Sequence, residues 1–182
     1  MLKVVDNFLV GKCGEYEKLF ILLPLKNIVH EKMLNFIGKQ EAKADVKGRV
    51  FVPSTYRKLL PEADKERVVL CKDPENDFLV LYPVEVWNAM VQELKSNLDE
   101  WNPEDQLLLM QFVSDAEWLD IDSQGRILLS KRHLQAIAVE SNEILFVGML
   151  DRIAVWSKAR YEQSMMVQSD FSSRLKNKMM KK

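Results

Sequence analysis

The order of apolar and polar residues becomes regular only from about Met33 onward. Before it, residues 1–32 hold two apolar pieces, 8–10 and 19–25, that follow neither the period of a strand nor that of a helix. Organised structure is therefore expected to begin near Met33, and the preceding segment is interpreted separately.

Residues 36–52 predict a strand, a turn and a returning strand. The turn has Asp45 in its first position and Gly48 in its fourth, which is typical of a type I turn. The returning strand is rich in β-branched and aromatic residues and ends before a proline. Ser54 or Thr55 is then expected to cap a short helix.

Two further apolar runs, 67–71 and 78–82, predict a second hairpin, because the residues between them favour turns. Pro83 suits the first turn of the helix that follows. Apolar residues recur along that helix at helical spacing, namely Val84, Trp87, Val91 and Leu94. Residues 102–105 start another helix, whose apolar body, 107–113, is expected to bridge two halves of the chain.

The first half of this pattern then repeats. Residues 118–121 predict a strand, 122–125 a turn and 126–129 the returning strand, at a constant offset of 77 residues from the first copy. Farther along, the two copies align at an offset of 74 residues. At this offset Tyr82 corresponds to Trp156 and Trp87 corresponds to Tyr161. Ser157 is expected to cap the helix of the second copy. The sequence therefore predicts a tandem duplication.

Composition narrows the class of protein. With 182 residues, 47% of them hydrophobic and 29% charged, the chain fits a globular protein with its own core. The two cysteines, Cys13 and Cys71, show no paired spacing, and His30 and His133 lack a ligand cluster. Neither a disulfide nor a zinc site is expected. The longest apolar run is too short to span a bilayer, so we expect a cytoplasmic protein.

Charge gives no direct sign of a nucleic-acid partner. The formal net charge is −1, whereas a nucleic-acid binder usually carries a basic excess. A chain of mixed sign can still concentrate Lys and Arg on one face. Residues 174–182 do hold five cations and no acid. We interpret them as a solvated terminus rather than a docking segment.

The doubled Asp-x-x-Gly-Arg turn is the candidate functional element. In such a turn the Asp side chain accepts backbone hydrogen bonds and the Gly supplies a positive φ, so the turn is rigid. Arg49 and Arg126 occupy the first strand position after the Gly, where alternation aims them outward. The apolar positions that face the other way are Val50, Val52, Ile127 and Leu129.

Two interpretations of these arginines compete. A guanidinium held on such a turn can bond bidentately to guanine O6 and N7, with roughly 1 to 3 kcal/mol of discrimination per pair, while Lys47 adds a phosphate contact. Alternatively, Arg49 merely pairs with Asp45 across the turn, in a surface ion pair of about 0 to 1 kcal/mol. The recurrence of Asp, Gly and Arg together favours nucleic acid, because a repeated turn does not need Arg.

Motifs of enzymatic chemistry do not emerge from the sequence. It lacks a phosphate-binding Gly-rich loop, a Gly-x-Ser-x-Gly elbow and a histidine beside a plausible nucleophile. His133 is expected to pack on a predicted helix. The carboxylates near residues 75–77 and 120–122 suit loops and turns. The large aromatic residues are expected in the core or at subunit contacts rather than stacked on single strands, namely Trp87, Trp118, Trp156 and Tyr161.

From Met33 to about Met165 the chain resembles the MraZ family, the bacterial regulators of the division and cell-wall gene cluster. The resemblance rests on Asn-Phe-Ile-Gly at 35–38, on residues 45–53 and 78–87, on residues 122–129, and on Ile-Ala-Val-Trp-Ser at 153–157. A single Asp-x-x-Gly-Arg string is weak grounds for a family. The doubled string with both aromatic-capped helices is specific.

The resemblance implies an α+β fold of two tandem AbrB-like swapped-hairpin units, of the double-split β-barrel type, with short helices. It implies a homo-oligomeric ring that binds double-stranded DNA at tandem G-rich direct repeats in that cluster's promoter, at the nucleoid, with autorepression. Neither a metal nor another cofactor is implied. The DNA-binding residues carried over from the family are Asp45, Lys47, Gly48 and Arg49 in the first copy and Asp122, Gln124, Gly125 and Arg126 in the second.

This chain departs from the family pattern in three places. Gln124 stands where the first copy has Lys47, and Ser130 stands where it has a proline, so the second turn is expected to contact phosphate less strongly. Family members begin near the equivalent of Met33, which suggests that residues 1–32 are an upstream-start extension, disordered or non-native. We therefore divide the chain into this extension, a first domain at 33–106, a second at 107–165 and a basic tail at 166–182.

Two other functions remain open at this level. A ring-forming scaffold could present its turns to a protein partner without reading any base. An antitoxin-like AbrB regulator shares the fold but usually needs one hairpin unit, and the duplication counts against it.

Overall fold

The computed structural model describes residues 3–5, 8–10, 35–139 and 141–180. The chain divides into two units, residues 1–33 and residues 34–182. In the first unit, β1 (Lys3–Val5) and β2 (Phe8–Val10) pair as an antiparallel two-stranded sheet. Most of the proposed extension, including Cys13, His30 and the apolar piece 19–25, lies outside the described residues, so the expectations placed there stay predictions.

The second unit alternates short strands with short helices. Its strands are β3 (Lys39–Lys43), β4 (Arg49–Phe51), β5 (Arg67–Lys72), β6 (Leu79–Tyr82), β7 (Glu117–Asp120), β8 (Arg126–Leu128), β9 (Glu143–Gly148) and β10 (Ile153–Ser157). Its helices are α1 (Ser54–Arg57), α2 (Val84–Ser96), α3 (Pro103–Ser114), α4 (Lys131–Ala136), α5 (Lys158–Ser164) and α6 (Gln168–Met179), with a 3-10 helix at Glu62–Asp64. The architecture is α+β.

The larger sheet interleaves the two copies. Its strand order is β3-β9-β10-β6-β5-β7, and every neighbouring pair is antiparallel. The first strand of each copy therefore pairs with the third strand of the other, and the two last strands, β6 and β10, meet at the centre. The predicted second hairpin is confirmed, because β5 and β6 are neighbours with Cys71 opposite Val80.

The strands that flank each Asp-x-x-Gly-Arg turn do not form the local hairpin that the sequence predicts. β3 pairs with β9, whereas β4 leaves the turn and pairs with β8 of the other copy in a separate two-stranded sheet. Val50 and Ile127 face each other in that sheet and are buried. Burial of these side chains between the copies decides the strand partners, and the local sequence pattern does not contain it.

Two cores lie on opposite faces of the larger sheet. Along β5 the residues alternate, with Val68 and Leu70 in the first core and Val69 and Cys71 in the second. The first core also holds the buried residues of the β4–β8 sheet and of α1, while the second holds Trp87 of α2 and side chains of α3 and α5. The turns and the helices α2 and α3 are thus associated with opposite faces of the larger sheet.

Helix ends follow the sequence in part. Asn102 caps α3 as predicted, since its side-chain oxygen accepts from the Glu104 N–H at 2.9 Å. The predicted cap by Ser54 or Thr55 is wrong, because α1 begins directly after Pro53, which has a fixed φ but no side-chain acceptor. Ser157 occupies the position before α5 as expected, yet its side chain makes no capping hydrogen bond.

Candidate nucleic-acid interface

Turn 1, residues 45–49, is held together by one carboxylate. Asp45 Oδ1 accepts from the backbone N–H of Lys47 and of Arg49, both at 2.9 Å. Asp45 Oδ2 receives Nε and Nη2 of Arg49, each at 2.6 Å. The Gly48 N–H closes the turn on the Asp45 carbonyl at 2.9 Å, with the Gly48 φ at +84°. The same carboxylate therefore fixes both the backbone and the arginine.

Turn 2, residues 122–126, repeats this arrangement. Asp122 Oδ1 accepts from the backbone N–H of Gln124 and of Arg126, both at 2.9 Å. Asp122 Oδ2 holds Nε and Nη2 of Arg126, each at 2.8 Å. The Gly125 N–H bonds to the Asp122 carbonyl at 2.7 Å, and the Gly125 φ is +81°. The chemistry of the turn is thus duplicated along with its sequence.

These hydrogen bonds lower the pKa of both carboxyl groups. Backbone and side-chain hydrogen bonds from Arg49 bring the pKa of Asp45 to about 2. The corresponding bonds from Arg126 lower the pKa of Asp122. Hydrogen bonds to the charged form favour that form, so both carboxylates stay ionised at neutral pH. Each arginine consequently keeps its ionised aspartate partner under the conditions in which nucleic acid would be bound.

The two turns are tied to each other through their glycines. Leu129 donates its N–H to the Gly48 carbonyl at 2.9 Å, and Val52 donates its N–H to the Gly125 carbonyl at 3.0 Å. A Cβ added to Gly48 would overlap the Leu129 carbonyl oxygen. Gly48 is therefore required both for its positive φ and for this close approach of the other copy's backbone.

The solvent-facing side of the β4–β8 sheet brings both arginines together. Arg49 lies opposite Leu128, and Phe51 lies opposite Arg126, whereas Val50 and Ile127 turn inward as alternation predicts. Because opposite residues share a face, the two arginines occupy diagonal positions, with their backbones roughly 8 Å apart across the two strands. We call the surface formed by Arg49, Phe51, Arg126 and Leu128 the ribbon face.

Both arginines are ion-paired, but each keeps part of its hydrogen-bonding capacity. Their side chains are 39% exposed for Arg49 and 22% exposed for Arg126. Each uses Nε and Nη2 on its aspartate, and no hydrogen bond between described residues uses Nη1 of either arginine. The ion pair that the sequence offered as an alternative is present. It orients the guanidinium and leaves one edge for an outside acceptor.

The remaining predicted site residues lie on the turns themselves. The side chains of Lys47 and Gln124 are exposed at equivalent positions of turns 1 and 2. Arg57, which the sequence did not single out, lies against turn 2, where a Cβ added to Gly125 would overlap its guanidinium. It comes from α1 of the first copy, so a contact between the copies places it there.

Comparison with known proteins decides the family. A family model described as MraZ protein and antitoxin-like matches residues 35–110 and 112–182. The chain belongs to the MraZ family. A protein of Bacteroides thetaiotaomicron named transcriptional regulator MraZ is 46% identical over 143 residues, 79% of this chain and 91% of that protein. Proteins of the same name in Bacteroides fragilis and Phocaeicola vulgatus are 43% and 41% identical, and the alignments cover 79% and 78% of this chain and 90% and 92% of theirs.

Membership of the MraZ family confirms the resemblance drawn from residues 33 to about 165, and the matched segments continue to residue 182. It identifies the chain as a transcriptional regulator and not an enzyme. In the described part of the chain, no helix is both long and apolar enough to cross a membrane.

His133, the one histidine among the described residues of this MraZ family member, has a structural role. Its N–H donates to Ser130 Oγ and its Nδ1 accepts from the Ser130 N–H, both at 3.3 Å, so the two form a capping box at α4. Its Nε2 lies 3.1 Å from Glu117 Oε2. Burial lowers the pKa of His133 despite the opposing effect of Glu117. The neutral ring, with its proton on Nε2, satisfies both contacts.

We expect low pH to reduce the stability that His133 gives to the start of α4. Because the pKa of His133 in the folded chain lies below its ordinary value of 6.5, the stability from the neutral ring is complete above pH 6.5 and is lost as pH falls through the folded pKa. His133→Gln keeps a capping side chain that does not titrate. Urea unfolding at pH 8 and pH 5 should show a larger loss of stability toward pH 5 in the parent than in His133→Gln. An equal loss in both chains would contradict this role.

Proposed function

We propose that this chain is a sequence-specific DNA-binding regulator that reads tandem G-rich direct repeats in the promoter of the division and cell-wall gene cluster. It acts at the nucleoid in the cytoplasm and represses its own transcription. The observation that carries the proposal is the ribbon face, on which two arginines of equivalent turns stand side by side, each oriented by an ionised aspartate.

The geometry suits base readout in the major groove, which admits a two-stranded β-ribbon. The free edge of each guanidinium is available to guanine O6 and N7. Because the aspartate already orders the arginine side chain, binding loses less conformational entropy. The exposed turns flank this face and suit contacts to phosphate. The residues to which we assign DNA contact or its support are Asp45, Lys47, Gly48, Arg49, Asp122, Gln124, Gly125 and Arg126.

The same strand pairing supports the proposed fold type and domain organisation. β4 and β8 exchange partners between the copies, and so do β3 and β7, which is the arrangement expected of two AbrB-like swapped-hairpin units. We assign the units to residues 33–106 and 107–165, with residues 166–182 as a basic tail that contains α6. Interleaved strands make the two turns one surface.

Fluorescence anisotropy with a duplex from the gene's own upstream region tests the proposed function. Binding is expected to weaken steeply as salt rises, because phosphate contacts release counterions. An unrelated duplex of equal length serves as the control. Equal affinity for both duplexes would contradict sequence-specific binding, and a promoter fusion that does not respond to the regulator would contradict autorepression.

The competing function is a ring-forming scaffold whose turns bind a protein. The paired state of Arg49 and Arg126 is the observation that favours it, because a surface ion pair needs no further ligand. Pull-down from extract with and without nuclease separates the two functions. Partners that persist after nuclease treatment, combined with an absence of binding to duplex DNA, would favour the scaffold.

We also propose that the chain forms a homo-oligomer, arranged as a ring. The support is apolar surface that no described residue covers: α3 exposes Leu107, Leu108 and Met110, and α6 exposes Phe171 and Leu175. Exposed clusters of apolar side chains of this kind mark interaction sites. Several copies on adjacent repeats would combine weak turn contacts through high effective concentration, which also offsets an unremarkable net charge.

Charged substitutions on the apolar side of α6 are expected to reduce the mass of the assembly. Phe171 and Leu175 lie one turn apart on that side, so Phe171→Asp with Leu175→Asp places two charges in the proposed contact. Ser173→Asp with Asn177→Asp adds the same charge to the other side of the helix as a matched control. Sedimentation velocity should show smaller particles for the first pair alone. An unchanged mass would contradict a contact through α6.

A further inference from the structure

The two turns differ in where their outer positive charge comes from. Turn 1 carries Lys47, whereas turn 2 has the neutral Gln124 at the equivalent position. From the sequence alone, turn 2 is therefore the weaker phosphate contact. The structure adds a cation that this comparison omits, because α1 of the first copy brings Arg57 to turn 2.

Arg57 is fixed against turn 2 on two sides. Its Nε donates to the Val52 carbonyl at 3.1 Å, and its guanidinium fills the space where a side chain at position 125 would begin. The Val52 N–H in turn bonds to the Gly125 carbonyl at 3.0 Å. A residue at the end of β4 therefore holds both the turn and the arginine.

The same place on turn 1 holds no charge. At the offset of 77 residues the equivalent of Arg57 is Leu134, whose Cδ1 lies 3.8 Å from the Cβ position of Gly48. The two copies therefore differ at two positions, and the positive charge is on the turn itself in one copy and beside the turn in the other. Turn 1 has Lys47 with Leu134 beside it, and turn 2 has Gln124 with Arg57 beside it.

The Arg57 guanidinium is available to an anion. Nε is its one atom that hydrogen-bonds to another described residue, and within the described ranges it forms no ion pair with Asp or Glu. An ordered arginine with free Nη groups next to a solvent-facing turn suits a phosphodiester oxygen, which accepts in the plane of the fork.

We propose that Arg57 is the phosphate-binding cation of turn 2. Although it belongs to the first copy, it gives turn 2 the phosphate contact that Lys47 gives turn 1. This inference rests on the proposed DNA-binding function. It makes the two turns equivalent in charge, each with one aspartate-braced arginine and one further cation. It also gives Gly125 a second role, because a glycine at that position admits the Arg57 guanidinium.

Salt dependence of binding tests the inference, because each phosphate contact adds about 0.9 to the slope of log affinity against log salt. With the full chain and the upstream duplex, Arg57→Gln should make that slope shallower by about one for each turn 2 in contact, and should weaken specific and non-specific binding alike. Arg57→Lys should retain the slope. Lys95→Gln, which removes a charge from α2 beyond the opposite core, should leave it unchanged.

Rescue separates a phosphate contact from a merely structural role. Adding Gln124→Lys to Arg57→Gln returns a cation to turn 2 by another route and should restore the slope. If Arg57→Gln lowers the free energy of unfolding but leaves the slope unchanged, or if Gln124→Lys fails to restore a reduced slope, Arg57 does not contact phosphate. If the parent chain does not bind the duplex at all, the proposed function fails first, and the inference fails with it.

Discussion

Replacing both turn arginines with alanine is expected to abolish specific DNA binding. Each base-contacting arginine contributes roughly 1 to 3 kcal/mol, so Arg49→Ala with Arg126→Ala should cost roughly 2 to 6 kcal/mol per contacting unit, which is about 30-fold to over ten-thousandfold in affinity. In an oligomer on tandem repeats the losses would combine. Anisotropy on specific and unrelated duplexes should show the specific affinity falling toward the non-specific value.

The control for this pair of substitutions is another arginine with an aspartate partner. Arg67 pairs with Asp120 at 2.8 Å between β5 and β7, outside the residues of both turns. Arg67→Ala removes a comparable ion pair and should leave DNA affinity unchanged. Of the single variants, Arg49→Ala should cost more than Arg126→Ala, because the Arg49 side chain is 39% exposed and that of Arg126 is 22% exposed. Undiminished binding by the double variant would remove the arginines from the interface.

Replacing Gly48 with alanine is expected to have the largest effect on stability. The residue has a φ of +84°, which costs an L-residue roughly 1 to 2 kcal/mol. The new methyl group would also meet the Leu129 carbonyl oxygen, and overpacking of this kind costs typically about 1 to 3 kcal/mol. Urea unfolding should therefore show a loss of about 2 to 5 kcal/mol for Gly48→Ala.

Two other glycines provide graded controls for this prediction. Gly38 has a φ of +85° but open space at its Cβ position, so Gly38→Ala should show the backbone cost alone. Gly125→Ala should fall between the two, because its methyl group would meet the far end of the Arg57 side chain rather than backbone. If Gly48→Ala were no more destabilising than Gly38→Ala, the close approach between the copies would not be a source of stability.

Three local features followed from the sequence because their causes were local. The turn at Asp45, the hairpin of β5 and β6 and the Asn102 cap depend on neighbouring residues, and the structure contains all three. Strand partners depend on burial between distant segments. The pairing of β4 with β8 could be expected from the family resemblance, but not from the alternation of Val50 and Ile127.

Other features escaped the sequence for the same physical reason. The apolar body of α3 was expected only to bridge two halves of the chain; α3 has no buried residue, because its apolar side chains surround the helix and one sheet face cannot cover them all. Arg57 gave no signal because its partner lies in the other copy. Residues 174–179 of the tail that was interpreted as a solvated terminus belong to α6, in which Phe171 and Leu175 are exposed among the described residues.

A footprint of the gene's upstream region tests the central claim most directly. The full chain is titrated against that DNA beside the variant that lacks both Arg49 and Arg126. We predict protection of tandem G-rich direct repeats by the parent chain, and loss of that protection in the variant while its fold is retained. Absence of any protected segment at saturating protein, or identical protection by both chains, would contradict base readout by the two turns.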